Sequence, residues 1–417
     1  MKLRGRRRLL GALAAAGGAA LLPGLPGVPF ASARAQGAPA SDPARDEGAR
    51  REAARDDTGA PDEDHRAWQH GIDLLRVDGR LLLIWGSAGN PPRPKLGGDW
   101  PHDIYNAWLK APAGAGEVAI NPQVLVERPE AQEPPSAAIN SRGTILITAE
   151  DGEDGINQYA GLWDAQLKPL RPYPFTVRKG GHSGHAAALG ERFLVTYSEE
   201  WVQGGGFRNL GTGMDVHARL IDARGRVGRE ITLARGQRDG WPLVAASDRN
   251  WMVLWQRYGG LRLMSAVVGA DGRASAPRQI AEGMAIRYAY DVAYAPVLGS
   301  YVVAGSREGR GFVALLGRDG GIQTVQEGLP PIASEARVLV APGEAGQGEA
   351  LAVYAMAPRG LAVLRLARGR VSLLKTIEHP HAWDYMGTTG LFTGNGRVLL
   401  ATLGTQGIKA FGVELGL

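Results

Sequence analysis

GHSGHAAALGERFLVTYSEEW over residues 181–201 and, after a Gly-rich turn, MDVHARLIDARGRVGREITLARG over residues 214–236 decide the fold. The first part opens with a short segment, turns at Gly190-Glu191, and continues with the alternating bulk of Phe193, Val195 and Tyr197. The second runs from Val216 to Ile221, turns tightly at Asp222-Ala223-Arg224-Gly225, and continues through Ile231. Four short strands joined by Gly-rich turns form an antiparallel meander. Such a sheet cannot cover both its own faces and needs neighbours of the same kind.

The neighbours are in the sequence. A phrase of consecutive apolar residues recurs as Leu81-Leu82-Leu83-Ile84-Trp85, Ile145 to Ala149, Phe193 to Tyr197, Trp251-Met252-Val253-Leu254-Trp255, Tyr301 to Gly305, Leu351 to Tyr354, and Val398 to Thr402. The intervals between closing residues are 64, 48, 58, 50, 49 and 48, so the unit is near fifty residues with insertions in the first and third. A second marker separates the last two strands of a unit: Asp164-Ala165-Gln166, Asp222 to Gly225, Asp271-Gly272-Arg273, Asp319-Gly320-Gly321 and Arg368-Gly369-Arg370. It reads as an outer two-residue hairpin, whose left-handed dihedrals Asp-Gly favours. Seven four-stranded units at this period predict an all-β chain, a seven-bladed β-propeller of four-stranded antiparallel blades, over residues 67–417. The blades fall near 68–130, 133–180, 181–236, 238–285, 286–331, 332–380 and 381–417. The last lacks an outermost strand, so either Trp68 to Leu75 closes it or it stays three-stranded.

With 44% apolar residues the chain can fill a continuous core between blades, and 60 glycines and 26 prolines suit a fold made mostly of turns. Cysteine is absent, which excludes thiolate-ligated metals, disulfides and covalently attached c-type haem. The basic pI misleads. Residues 1–35 hold six of the 47 basic residues and no acid, leaving 41 against 42 acidic ones, a formal −1. A mature chain with that balance carries no electrostatic footprint for nucleic acid.

Residues 1–35 have a secretory layout: arginines, a Gly- and Ala-rich apolar run from Leu9 to Leu22 too weak to persist as a membrane span, and Ala33-Arg34-Ala35 as a small-x-small cleavage site. Arg6-Arg7-Arg8-Leu9-Leu10 resembles a twin-arginine signal, with Gly5 where Ser or Thr is usual. The resemblance implies export by that machinery, with the general secretory route as the alternative, to the periplasm or beyond. Residues 36–66 hold no large apolar side chain and many charges, which predicts a disordered linker.

In a propeller the first strand of each blade lines the channel, and the loops entering it form the mouth. The sequence puts His70 and Asp73, His182 and His185, Asp239 and Trp241, Arg287, Tyr290 and Asp291, Glu335 and Arg337, and His381, Trp383 and Asp384 at those entrances; blade two offers only Ser136 and Asn140. Trp241 and Trp383 read as stacking platforms for sugar rings, and the carboxylates and arginines as partners for hydroxyl groups. The bland alternative is that these groups solvate a water-filled channel. Trp85 and Trp255 read as packing between blades.

For chemistry, Asp73, Asp239, Asp291, Glu335 and Asp384 are candidate carboxylates for glycoside hydrolysis. His182 with His185, Tyr290 and Arg287 is the candidate set for proton abstraction beside a sugar acid. No metal site is expected: three-residue spacing on a strand throws His182 and His185 to opposite faces, and His102 and His217 have no visible partner. The run Glu150-Asp151-Gly152-Glu153-Asp154-Gly155 departs from the EF-hand order and reads as an exposed acidic loop. No Gly-x-Ser-x-Gly elbow or P-loop occurs.

The repeats from 68 to 417 resemble exported seven-bladed propellers, a class with sialidase-like, lyase and purely binding members. The Ser-x-Asp-x-Gly-x-x-Trp turn of sialidases is missing, Ser247-Asp248-Arg249-Asn250-Trp251 being a distant echo, and the WD40 pairs are out of register. The resemblance implies an exported propeller that recognises a glycan or envelope protein at its mouth. A carbohydrate-active hydrolase or lyase is the alternative, and a scaffold in an envelope assembly a third.

Overall fold

The computed structural model describes residues 69–89, 102–152, 156–199, 215–236, 238–285, 288–341, 348–383, 387–404 and 407–417. The signal and linker expected over 1–66 lie outside them. Among the described residues, seven sheets of four antiparallel strands account for every strand. Among the described residues no helix is long and apolar enough to cross a membrane.

Blade one is Gln69–Val77, Arg80–Ser87, Asp103–Leu109 and Gln123–Val126; blade two Ser136–Ile139, Ile145–Asp151, Asn157–Trp163 and Pro169–Lys179. Blade three is Gly181–Leu189, Arg192–Glu199, Val216–Ile221 and Val227–Ala234; blade four Asp239–Ala246, Asn250–Arg257, Arg262–Gly269 and Arg278–Ala281. Blade five is Tyr290–Ala295, Ser300–Arg307, Arg310–Gly317 and Ile322–Leu329; blade six Leu339–Val340, Glu349–Ala355, Arg359–Ala367 and Arg370–Ala382. Each first strand lies against those of the neighbouring blades, and blade one's touches both blade two's and blade seven's, so the ring closes.

All seven apolar phrases are second strands, and packing explains why they do not alternate with polar residues. Leu81, Leu83 and Trp85 face Leu399, Ala401 and Ala410 of blade seven, while Leu82 and Ile84 face Ile145, Ile147 and Trp163 of blade two. In blade four, Trp251, Val253 and Trp255 face blade three, while Met252 and Leu254 face Tyr301 and Val303 of blade five. A strand buried on both faces needs apolar residues at every position, and each phrase is the shared wall of two interfaces. Trp85 and Trp255 are buried there as expected.

Two details differ from expectation. Blade six has the expected two-residue outer turn, Arg368-Gly369 between paired Ala367 and Arg370, but the outer turns that carry Asp are longer and the Asp is not left-handed. Asp222 keeps an ordinary φ and its Oδ1 accepts the amides of Arg224 and Arg226, while Gly225 takes the left-handed position at φ 81°. The mirror-image hairpins are elsewhere, at Asp78-Gly79, Glu308-Gly309 and Asn395-Gly396, where both residues have positive φ.

The second difference is the seam. Blade seven comprises Thr388–Gly394, Arg397–Thr402 and Lys409–Glu414, and its fourth strand is Gly116–Glu117 from the segment between the last two strands of blade one. Gln69–Val77 begins blade one instead of closing the ring. The segment is fastened by Val118 N donating to Ala410 O and by Arg397 donating to the carbonyls of Pro112 and Ala113.

Candidate functional site

A backbone feature builds the channel mouth. At six of the seven entrances the chain passes through a left-handed residue: Gly71 (φ 77°), Ser183 (54°), Trp241 (56°), Tyr288 (55°), Glu335 (55°) and Gly387 (132°). Four of these carry side chains, which pay about 1–2 kcal/mol each for that conformation. The left-handed residue interrupts strand pairing in blades one, three and four, between His70 and Ile72, His182 and His185, and Gly240 and Leu243. Backbone bonds tie successive entrances together: Glu335 N donates to Tyr288 O at 3.0 Å and Thr388 N to Glu335 O at 3.1 Å.

Inside this ring Arg337 is held between two carboxylates from other blades. Its Nη2 lies 3.7 Å from Asp73 Oδ1 and its Nη1 3.4 Å from Asp291 Oδ1. Asp73 Oδ2 accepts Ser136 Oγ (2.9 Å) and Ala137 N (2.7 Å), Ser136 Oγ in turn accepts Ala186 N (3.3 Å), and Asp291 Oδ2 accepts Val338 N (2.7 Å). Five blades thus contribute to one hydrogen-bonded network centred on Arg337. These groups and His185 line a polar cavity of about 190 Å³, and His185 and Arg337 also line a second, much smaller one of about 20 Å³ with Tyr288, Glu335 and Gly71.

Burial dominates the electrostatics. It pushes Asp291 up to about 6 and Asp73 above the usual carboxylate range, although Arg337 pulls both back. His185 is driven well below the ordinary imidazole value by burial and by Arg337, so its ring is neutral at neutral pH. Its ring meets Tyr288 edge-on at 5.4 Å, and Tyr288 stacks on Trp241 at 5.4 Å. Burial, then Glu335 and Glu150, hold the Tyr288 hydroxyl well above the phenol range.

A row of charges flanks the cavity. His70 Nε2 lies 3.2 Å from Glu335 Oε1 and its Nδ1 3.7 Å from Glu133 Oε2, which also receives His102 Nδ1. Burial alone would raise the pKa of Glu133, but His102 and His70 more than offset it and hold the carboxyl low. His182 Nδ1 pairs with Ser183 Oγ at 2.7 Å, and Glu150 takes the Ser183 amide.

The structure therefore brings together His70, Asp73, Ser136, His182, His185, Asp291, Glu335 and Arg337 of the residues singled out from sequence. Others have packing roles. Asp239 is fully buried: its Oδ1 accepts Trp255 Nε1 (2.9 Å) and Arg257 Nε (2.8 Å), and its Oδ2 accepts Arg257 Nη2 (3.2 Å). Trp241 is 3% exposed, with Tyr288 stacked on it and Tyr258 meeting it edge-on, so its ring is not open to a ligand. Tyr290 is fully buried, its hydroxyl donating to Trp241 O at 2.6 Å.

His381 and Trp383 do not enter the mouth, because blade six's fourth strand runs on to Ala382. The two rings pack there with His379 and with Phe411 of blade seven, and Trp383 Nε1 donates to Gly360 O. Asn140 caps the turn between the first two strands of blade two, away from the entrances. Arg287 and Asp384 lie outside the described residues. Glu150 and Asp151 do not form an exposed acidic loop: Glu150 faces the mouth, and Asp151 is buried against Arg128 and Tyr173. Tyr288, Ser183 and Glu133 were not singled out from sequence; only the Pro-Pro pair after Glu133 and the second Tyr of Tyr288-Ala289-Tyr290 mark their places.

No family model matches the chain, and no curated protein matches it in sequence. Solved propellers are similar in fold. A functionally unknown protein from Desulfotomaculum acetoxidans aligns with TM-score 0.51 at 10% identity, covering 73% of this chain and 88% of that one. An alpha-L-arabinofuranosidase from Fusarium graminearum in complex with an iminosugar inhibitor aligns at 0.47 and 11%, covering 83% and 93%. Trypanosoma rangeli sialidase in complex with a difluoro sugar acid aligns at 0.43 and 11%, covering 84% of this chain and 54% of that one. The chain thus spans about half the length of that sialidase. At these identities the likeness is one of fold: this is a seven-bladed β-propeller.

Proposed function

We propose that the protein is an exported propeller that binds a glycan-like ligand in the polar cavity at its channel mouth. The observation that carries the reading is Arg337 suspended between Asp73 and Asp291 at the centre of a network drawn from five blades. A sugar hydroxyl both donates and accepts, and two carboxylates beside one fixed guanidinium offer both partners within one ring's width. Recognition rests on Asp73, Asp291, Arg337 and His185, with His70 and Glu335 above them. The N-terminal segment delivers the chain to the periplasm or beyond, where glycans are abundant.

A second reading, a carbohydrate-active enzyme, is favoured by one observation. Asp291 titrates near 6, so close to neutral pH it is able to donate a proton, as hydrolysis of a glycosidic bond requires. One experiment separates the two. The mature chain is titrated with a panel of oligosaccharides while binding and product release are both followed. Binding without release, weakened at least tenfold by Asp73→Asn and Arg337→Gln, supports recognition. Release abolished by Asp291→Asn supports the enzyme. No binding to any member, or binding indifferent to all three substitutions, overturns both.

A further inference from the structure

Away from the mouth, at the end of blade three, one cluster of side chains has the make-up of a metal site. Glu199 closes the second strand, and Asp215 and His217 stand at the start of the third. One donor atom from each lies within 4.8 Å of the others. His217 is 1% exposed, and neither ring nitrogen makes a hydrogen bond. Its Nε2 points to Glu199 Oε1 at 3.4 Å and its Nδ1 to Glu230 Oε1 at 3.6 Å.

We infer that Glu199, Asp215 and His217 form a site for a first-row divalent cation of the zinc type, His217 binding through Nε2 and Glu230 orienting its ring. Ligands held about 2.1 Å from a tetrahedral ion are roughly 3.4 Å apart, the separation already present between His217 Nε2 and Glu199 Oε1. Metal-binding histidines pass their other ring N–H to a carboxylate, and Glu230 stands where that partner is needed. The supporting groups are themselves fixed: Tyr197 donates its hydroxyl to Glu230 Oε2 at 2.9 Å and stacks on His217, and Gly236 N donates to Asp215 Oδ1 at 2.7 Å. Arg178 donates to Glu199 Oε1 at 3.4 Å and to Glu230 Oε2 at 2.8 Å, so an ion at Glu199 would replace the longer of the two contacts and leave the shorter in place. Asp215 keeps only a 3.7 Å contact to Arg235. One imidazole and two carboxylates suit zinc or manganese; calcium prefers an all-oxygen shell. The ion would clasp the strand ends on either side of residues 200–214.

The chain is stripped with a chelator, then titrated with Zn²⁺ in a calorimeter and with Co²⁺ in a spectrophotometer. The expected result is about one ion per chain, a visible Co²⁺ band and a higher thermal midpoint with Zn²⁺. His217→Gln abolishes uptake. Glu199→Gln and Asp215→Asn do the same at side chains that are only partly buried, so they answer the question even where the buried His217 variant fails to fold. Glu230→Gln keeps the stoichiometry but weakens binding about 10- to 100-fold. Absence of stoichiometric uptake, retained uptake in both carboxylate variants, or preference for Ca²⁺ over Zn²⁺ overturns the assignment.

Discussion

Glu117 stands opposite Phe411 in the antiparallel ladder of blade seven, so the first blade lends the last its outer strand. A ring fastened this way depends on close backbone approach at Gly412. A Cβ there would lie 2.3 Å from Gly114 O and 2.5 Å from Pro112 Cβ. Gly412→Ala is expected to lower stability by about 1–3 kcal/mol through overpacking. Denaturant unfolding measures it; an unchanged midpoint would mean that the seam does not govern opening of the ring.

Asp239 separates a packing role from a binding one. Its carboxylate neutralises Arg257 and satisfies the Trp255 indole inside blade four. Asp239→Ala strands a buried cation, so stability is expected to fall by about 3–5 kcal/mol. A variant of nearly wild-type stability that loses ligand would return Asp239 to the mouth.

Asp291 predicts a pH dependence. Burial pushes its pKa in the folded chain up to about 6, above the ordinary aspartate value of 3.8, so between those values the folded state binds more protons than the unfolded one. This contribution to stability is fully present below about pH 4 and is lost as pH rises through 6. Asp73, shifted the same way across Arg337, adds to it. Asp291→Asn, which keeps an acceptor for Val338 N, should flatten the unfolding midpoint between pH 4 and 6. An equal slope in wild type and variant would show that Asp291 is not held protonated.

The fold was legible because each second strand is a wall between two blades. Leu81 to Trp85 must be apolar throughout, and such a run survives in the sequence as a countable unit. The seam was not, since Gly116–Glu117 is a two-residue strand with no side-chain pattern. The mouth was half legible. Polar groups at the entrances can be listed from sequence, but their direction follows alternation only while the strand is regular. At Trp241 the left-handed backbone breaks that alternation and turns the indole onto Tyr288. His381 was misplaced for a simpler reason: blade six's outer strand runs on through Pro380 to Ala382, because an edge strand tolerates a proline that in sequence reads as its end.

The strain at the mouth is measurable at Ser183, whose φ is 54° and whose Oγ bonds His182 Nδ1 at 2.7 Å. Ser183→Ala and Ser183→Gly both lose that hydrogen bond, worth about 0.5–1.5 kcal/mol. They differ in backbone: alanine keeps the left-handed cost of about 1–2 kcal/mol, and glycine removes it. Glycine also gains more entropy on unfolding, which offsets about 0.4–1 kcal/mol of the difference. The glycine variant should therefore be the more stable of the two by about 0.5–1 kcal/mol, the reverse of the order in an ordinary strand. If the backbone there is kept strained to hold His182 against Ser183 and Glu150 beside the mouth, the more stable variant should also bind ligand less well than wild type. Unfolding midpoints and ligand titrations on the same preparations test both halves. Alanine matching or exceeding glycine in stability would mean that the left-handed turn stores no strain.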